Sequence, residues 1–138
     1  METIKSRLML VLAAALGLCY SVQSLATLCP THFNHDQNGY WTSNEHPGWK
    51  SHRPTNANVT LDPKDFGGAV YSPQKKRIAC VYKASDGNWV ALLSSIYHPF
   101  NEDDLTGKGW EFSQEHKDYI CGQPKSGIYD CDFKVIKQ

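Results

Sequence analysis

Apolar and polar positions along the chain fall into three regimes. Residues 8–18 are an unbroken apolar run preceded by Lys5 and Arg7, residues 29–54 are aromatic and polar without a period, and from Phe66 onward short apolar stretches alternate with turn-forming residues. The first run is too short to cross a bilayer, which takes about 20 apolar residues. Its order of positive charge, apolar core and the small residues of Ser24-Leu25-Ala26 is that of a secretory leader. Cleavage is expected after Ala26, which makes 1–26 a signal peptide and 27–138 a single domain. A lipid-modified alternative, cut before Cys19, is disfavoured by bulky Leu18.

Beyond the leader, the pattern predicts strands. Residues 66–71 form a short apolar run containing Gly67-Gly68, and residues 77–83 are rich in strand-favouring types. The turn Ser85-Asp86-Gly87-Asn88 then leads into 89–96, because Asp-Gly tolerates the positive φ that tight hairpins need. Residues 89–96 are apolar on both faces, and Trp89 is expected in the core. A short strand is expected at Tyr40-Trp41-Thr42, another at 117–121, and one helical turn around Asp103-Asp104-Leu105. In the last stretch Tyr129, Cys131, Phe133 and Val135 alternate with polar residues and are expected to point inward. Residues 113–119 have room for at most two helical turns. No longer stretch carries an apolar stripe at helical spacing, so the expected fold is mainly β: a small antiparallel sheet or sandwich of about five to six strands.

Composition adds a compartment and a covalent framework. Removing Lys5, Arg7 and Glu2 with the leader leaves 12 basic against 13 acidic residues, and this near-neutrality gives no electrostatic case for nucleic acid. No second hydrophobic segment follows, so no membrane span is expected in the mature chain. Cys19 departs with the leader, leaving Cys29, Cys80, Cys121 and Cys131, an even set in an exported chain and therefore two disulfides. Three pairings are open. A four-thiolate zinc site is disfavoured because no Cys-x-x-Cys pair exists. Localisation is expected to be secreted or periplasmic.

Several of these residues carry a resemblance. Cys29-Pro30, Gly48-Trp49, Phe66-x-x-Ala69, the strand Ile78-Ala79-Cys80-Val81-Tyr82 followed by Trp89 and Leu92, and the closing Cys131-Asp132-Phe133 together resemble a family of small secreted gammaproteobacterial proteins known as a domain of unknown function. The resemblance spans nearly all of the mature chain. It implies export and a single domain, and brings no catalytic residues with it.

Candidate chemistry is concentrated between Cys29 and Pro54. His32, His35, His46 and His52 lie there with Asp36 and Glu45, and imidazoles suit zinc or copper. The spacing is not that of a helical zinc protease, and solvated loop histidines are the plainer reading. Tyr40, Trp41, Trp49 and Trp110 offer flat rings for stacking on a sugar or peptide. Carboxylates 102–104 lack the spaced pattern of a calcium loop, and Lys75-Lys76-Arg77 read as a soluble hairpin tip. His98, His116, Glu111 and Glu115, with Arg53 or Arg77, are the available acid, base and charge-stabilising groups, but nothing in their spacing selects them. The expectation is therefore a non-enzymatic binding protein, acting on host or envelope components, that presents loop 29–54 to a protein or glycan. The alternatives are a small hydrolase and a histidine-rich metal binder; no cofactor is expected outside that last case.

Overall fold

The computed structural model describes residues 23–137. The leader expected over 1–26 lies outside the described residues except for its last four. These belong to β1 (Gln23–Thr27), so the expected cut after Ala26 falls within that strand.

Six strands form the main sheet: β4 (Lys50–Ser51), β5 (Phe66–Ser72), β6 (Arg77–Lys83), β7 (Trp89–Leu93), β8 (Glu111–Ser113) and β9 (Asp118–Gly122). Their order across the sheet is β4-β7-β6-β5-β9-β8, and every pair is antiparallel. Three tight hairpins account for most of it. Lys76 (φ 54°), Gly87 (φ 84°) and Lys117 (φ 58°) take the left-handed conformation in the β5–β6, β6–β7 and β8–β9 connections. The last of these occupies 114–117, where two helical turns had room to form. No α-helix occurs among the described residues, in line with the missing helical stripe.

Period-two alternation decides which face is buried. Ile78, Cys80 and Tyr82 of β6 point inward, flanked by Val90 and Leu92 on one side and Ala69, Tyr71 and Cys121 on the other. Over this inner face lies a second layer made from the two ends of the described segment. It comprises the short pair β2 (Asn34–His35) and β3 (Trp41–Thr42), and the pair of β1 with β10 (Phe133–Lys137). Phe33 meets Tyr82 edge-on at 4.9 Å, and Trp49 stacks on Phe133 at 5.6 Å. The Tyr82 hydroxyl is fully enclosed and donates to Pro30 O at 2.6 Å. Burial, with the Glu45 charge adding to it, holds that phenol far above its ordinary pKa.

The disulfides are Cys29–Cys80 and Cys121–Cys131, with Cα–Cα separations of 5.8 and 5.7 Å. The first ties the second layer to the centre of the sheet, and the second ties β9 to the segment leading into β10. By loop-closure entropy, bridges closing 51 and 10 residues stabilise by about 4 and about 3 kcal/mol.

Two expectations are corrected. Trp89 is 53% exposed, on the outer face of the sheet and not in the core. Tyr129 is 78% exposed because Ile128–Asp130 forms a 3-10 turn, so the alternation that buries Cys131 and Phe133 begins two residues later than its pattern suggests.

Candidate functional site: the open face of the sheet

The residues expected to form a site in 29–54 are spent on structure. His46 is buried, donates from Nε2 to Leu28 O at 2.7 Å and packs on Trp49 at 4.6 Å. Burial depresses its pKa, and the Leu28 carbonyl and Glu45 oppose that shift only in part. His35 stacks flat on Trp41 at 4.2 Å and donates to Gly39 O at 2.9 Å. Nδ1 of His52 accepts the Ala91 N–H at 3.1 Å, clipping β4 to β7, while His32 is exposed beside Thr31. Asp36 closes the β2–β3 turn by accepting the Asn38 and Tyr40 N–H groups. The four histidines therefore do not converge. Among the described residues no three metal-ligating groups do, which corrects the expected metal set.

Glu45 is likewise occupied. Burial pushes its carboxyl up, but the Thr31 hydroxyl, the Thr31 and His32 N–H groups and Ser43 together hold it below its ordinary value.

The aromatic platform fares similarly. Trp41 and Trp49 are only 6% and 5% exposed, and Trp41 Nε1 donates to Thr55 Oγ1 at 2.9 Å. In a chain poor in buried Leu and Ile these indoles fill the space between the layers, so they offer no face to a ligand. Trp110 is half-buried and anchored through Nε1 to Asp132 O at 2.9 Å; Tyr40 is half-buried under the Lys50 ammonium, 4.0 Å from its ring centroid.

The acid and base candidates are scattered. Glu111 faces Lys125 at 3.7 Å, Glu115 faces its neighbour His116 at 3.9 Å, and Arg53 and Arg77 donate to the carbonyls of Trp89 and Ser94. His98 is exposed in the loop after β7. The acidic run 102–104 is a 3-10 turn in which Asp104 caps the Asn101 N–H and Glu102 accepts the Tyr119 hydroxyl.

What remains open is the other side of the sheet. The inner residues of β5, β6, β7 and β9 alternate with Val70, Ala79, Val81, Ala91, Leu93 and Ile120, which face outward and are apolar in their turn. Among the described residues no layer covers them; Val70, Ala79, Val81, Ala91 and Leu93 are half-buried by their neighbours on the sheet, and Ile120 is exposed. A groove of about 600 Å³ crosses this face, floored by Gly67, Gly68, Val70, Val81 and Gly122 and walled by Trp89 and the 123–126 loop. Two glycine positions shape it. At Gly67 a Cβ would stand 2.4 Å from Trp89 Cζ3, so the bare backbone lets the indole lie down on the sheet. Gly68 (φ 158°) and Gly122 (φ 151°) face each other across β5 and β9, where a Cβ on Gly122 would come within 2.4 Å of Gly68 Cα. The result is a flat, apolar floor beside a half-exposed indole. A second groove of about 400 Å³ continues from Val70 toward Lys75, Arg77, His116 and Asp118.

Sequence reasoning placed Trp89 in the core because both faces of its strand are apolar. The same signal, joined to the lack of any α-helix among the described residues to cover a second sheet face, points instead to an open apolar surface. Neither the sequence, compared with family models and curated proteins, nor the fold, compared with solved structures, finds a match.

Proposed function

We propose that this chain is a small exported binding protein without catalytic activity, secreted or periplasmic, that engages an envelope or host component through the open face of its six-stranded sheet. The observation carrying this reading is the apolar groove between Trp89 and the glycine floor. An uncovered apolar surface costs stability and solubility in a lone domain unless something uses it. Two disulfides suit an oxidising compartment, and among the described residues no helix is long and apolar enough to cross a membrane. The resemblance to small secreted gammaproteobacterial proteins supports the same compartment. Relative to the sequence expectation, the ligand surface moves from loop 29–54, which is packed as the second layer, to the opposite side of the sheet.

The test is binding of the apolar dye 1-anilinonaphthalene-8-sulfonate to the folded, oxidised protein, with methyl chemical shifts as the map. Enhanced dye fluorescence that shifts Val70, Val81 and Ile120, and that Val81→Asp abolishes without unfolding, supports the reading. No dye binding, or shifts confined to 29–54, overturns it.

A further inference from the structure

The expected leader cut passes through the strand that β10 pairs with. β1 lies antiparallel to β10 in the register Gln23↔Lys137, Ser24↔Ile136, Leu25↔Val135, Ala26↔Lys134 and Thr27↔Phe133. Cleavage after Ala26 removes four of these five pairs and leaves Thr27↔Phe133. Among the described residues no other strand lies beside β10, and its one further bridge, Leu105↔Phe133, sits at the same root position. The backbone N–H and C=O groups of residues 134–137 that face β1 therefore lose their ladder partners when the leader goes. The root of the strand stays fixed: Cys131 is bridged to Cys121, Phe133 is fully buried against Trp49 and Phe100, and Val135 packs half-buried on the core. An anchored extended edge with unpaired backbone groups is an acceptor for another strand. The segment that fits it is visible in β1. Opposite residues of an antiparallel pair share a face, so Leu25 stands beside Val135, with small Ser24 and Ala26 on either side.

Resting on the export part of the reading above, we propose that leader removal opens a strand-accepting edge along residues 134–137, where the mature protein binds an extended segment of another polypeptide. That segment carries a leucine-sized side chain at the place of Leu25 and small residues beside it. In the precursor, residues 23–26 fill the edge, so binding waits for export. Backbone hydrogen bonds over about 14 Å hold the guest strand, and the apolar contact with Val135 selects it. A second mature copy has lost the same four residues and cannot lend them.

Intact mass of the exported protein comes first: a chain starting at Thr27 is expected, and a mature chain that still carries Leu25 would overturn the proposal. A synthetic peptide of residues 22–26 is then titrated into that mature protein, with backbone amide shifts and hydrogen exchange as the readout. Saturable shifts and slowed exchange at 134–137 are expected, weakened about tenfold by Leu25→Asp in the peptide, since Leu25 is about half withdrawn from water. Ladder hydrogen bonds alternate along a strand, so N-methylation of the peptide at Leu25 or at Ala26 should abolish binding at one position and spare the other. A chain started at Gln23, with its own β1 in place, should not take the peptide. Absence of binding, indifference to Leu25→Asp, or equal effects of the two N-methyl groups would overturn the proposal, as would light scattering that finds a dimer joined through β10. Dye binding to the open face without peptide binding sinks this inference and leaves the binding reading standing; peptide binding without dye binding does the reverse.

Discussion

The two sides of the sheet carry similar residue types and opposite fates. On the inner side, Trp41, Trp49 and a segment with four histidines look like a binding loop, yet both indoles are buried, His35 stacks on Trp41 and bonds Gly39 O, and His46 packs on Trp49 and bonds Leu28 O. On the outer side, Trp89 and a row of aliphatic residues look like core, yet Trp89 and Ile120 are exposed and the others are only half-buried. The contrast teaches that aromatic content marks a surface only where no second layer lies over it. A tryptophan among polar loop residues can be core if the loop folds down, and a tryptophan on an apolar strand can be exposed if nothing covers the strand.

The sharpest way to break that contrast is to truncate one indole on each side. Trp49→Ala leaves a cavity against Phe133 and Phe100 and is expected to cost about 3 to 5 kcal/mol in chemical denaturation. Trp89→Ala should cost less in the same measurement, about 1 to 2 kcal/mol, because only about half of the indole is withdrawn from water and no enclosed cavity is left. Equal losses would mean that Trp89 is core after all. Replacing both cysteines of the Cys29–Cys80 bridge by serine should remove about 4 kcal/mol, against about 3 for the Cys121–Cys131 pair, since the longer loop restrains the unfolded chain more. Gly67→Ala sharpens the comparison further. Its Cβ collides with the outer end of an exposed ring that can swing away, so about 1 kcal/mol or less is expected in stability. Acrylamide quenching of tryptophan should nevertheless rise as Trp89 lifts off the sheet.

The smallest effect concerns acid. His46 has a depressed pKa in the folded state, so the unfolded chain takes up its proton first as pH falls below about 6.5. Stability is then complete above that value and declines as pH falls toward the folded pKa. Glu45, also depressed, acts in the same direction at lower pH: its contribution is present above its unfolded pKa and is lost as pH falls through the folded one. Denaturation midpoints measured from pH 7.5 to 4 should therefore drop steadily, and the upper part of the drop should vanish in His46→Gln. A midpoint rising with acid would contradict the buried, Nε2-donating imidazole.

Much of the sheet was legible because its hairpins are local. β5, β6 and β7 are bounded by turn residues only a few positions apart, so strand pattern and turn chemistry agree without reference to distant parts of the chain. The inward direction of Cys80, Cys131 and Phe133 followed from period two in the same way. The histidine and tryptophan roles were hidden because each depends on a contact far along the chain: His46 on Leu28 and Phe133, His52 on Ala91, Tyr82 on Pro30.

Residue order alone was enough for a mainly β domain with Cys29, Cys80, Cys121 and Cys131 in two disulfides, since these rest on near-neighbour sterics, turn conformations and the even count of those four. Folding in three dimensions settled which cysteines pair, which aromatic rings are enclosed and which side of the sheet stays bare. Those outcomes turn on how the segments around β1–β3 and β10 lie over one face of the sheet, far in sequence from the strands they cover, and no local pattern of apolar and polar residues carries that information.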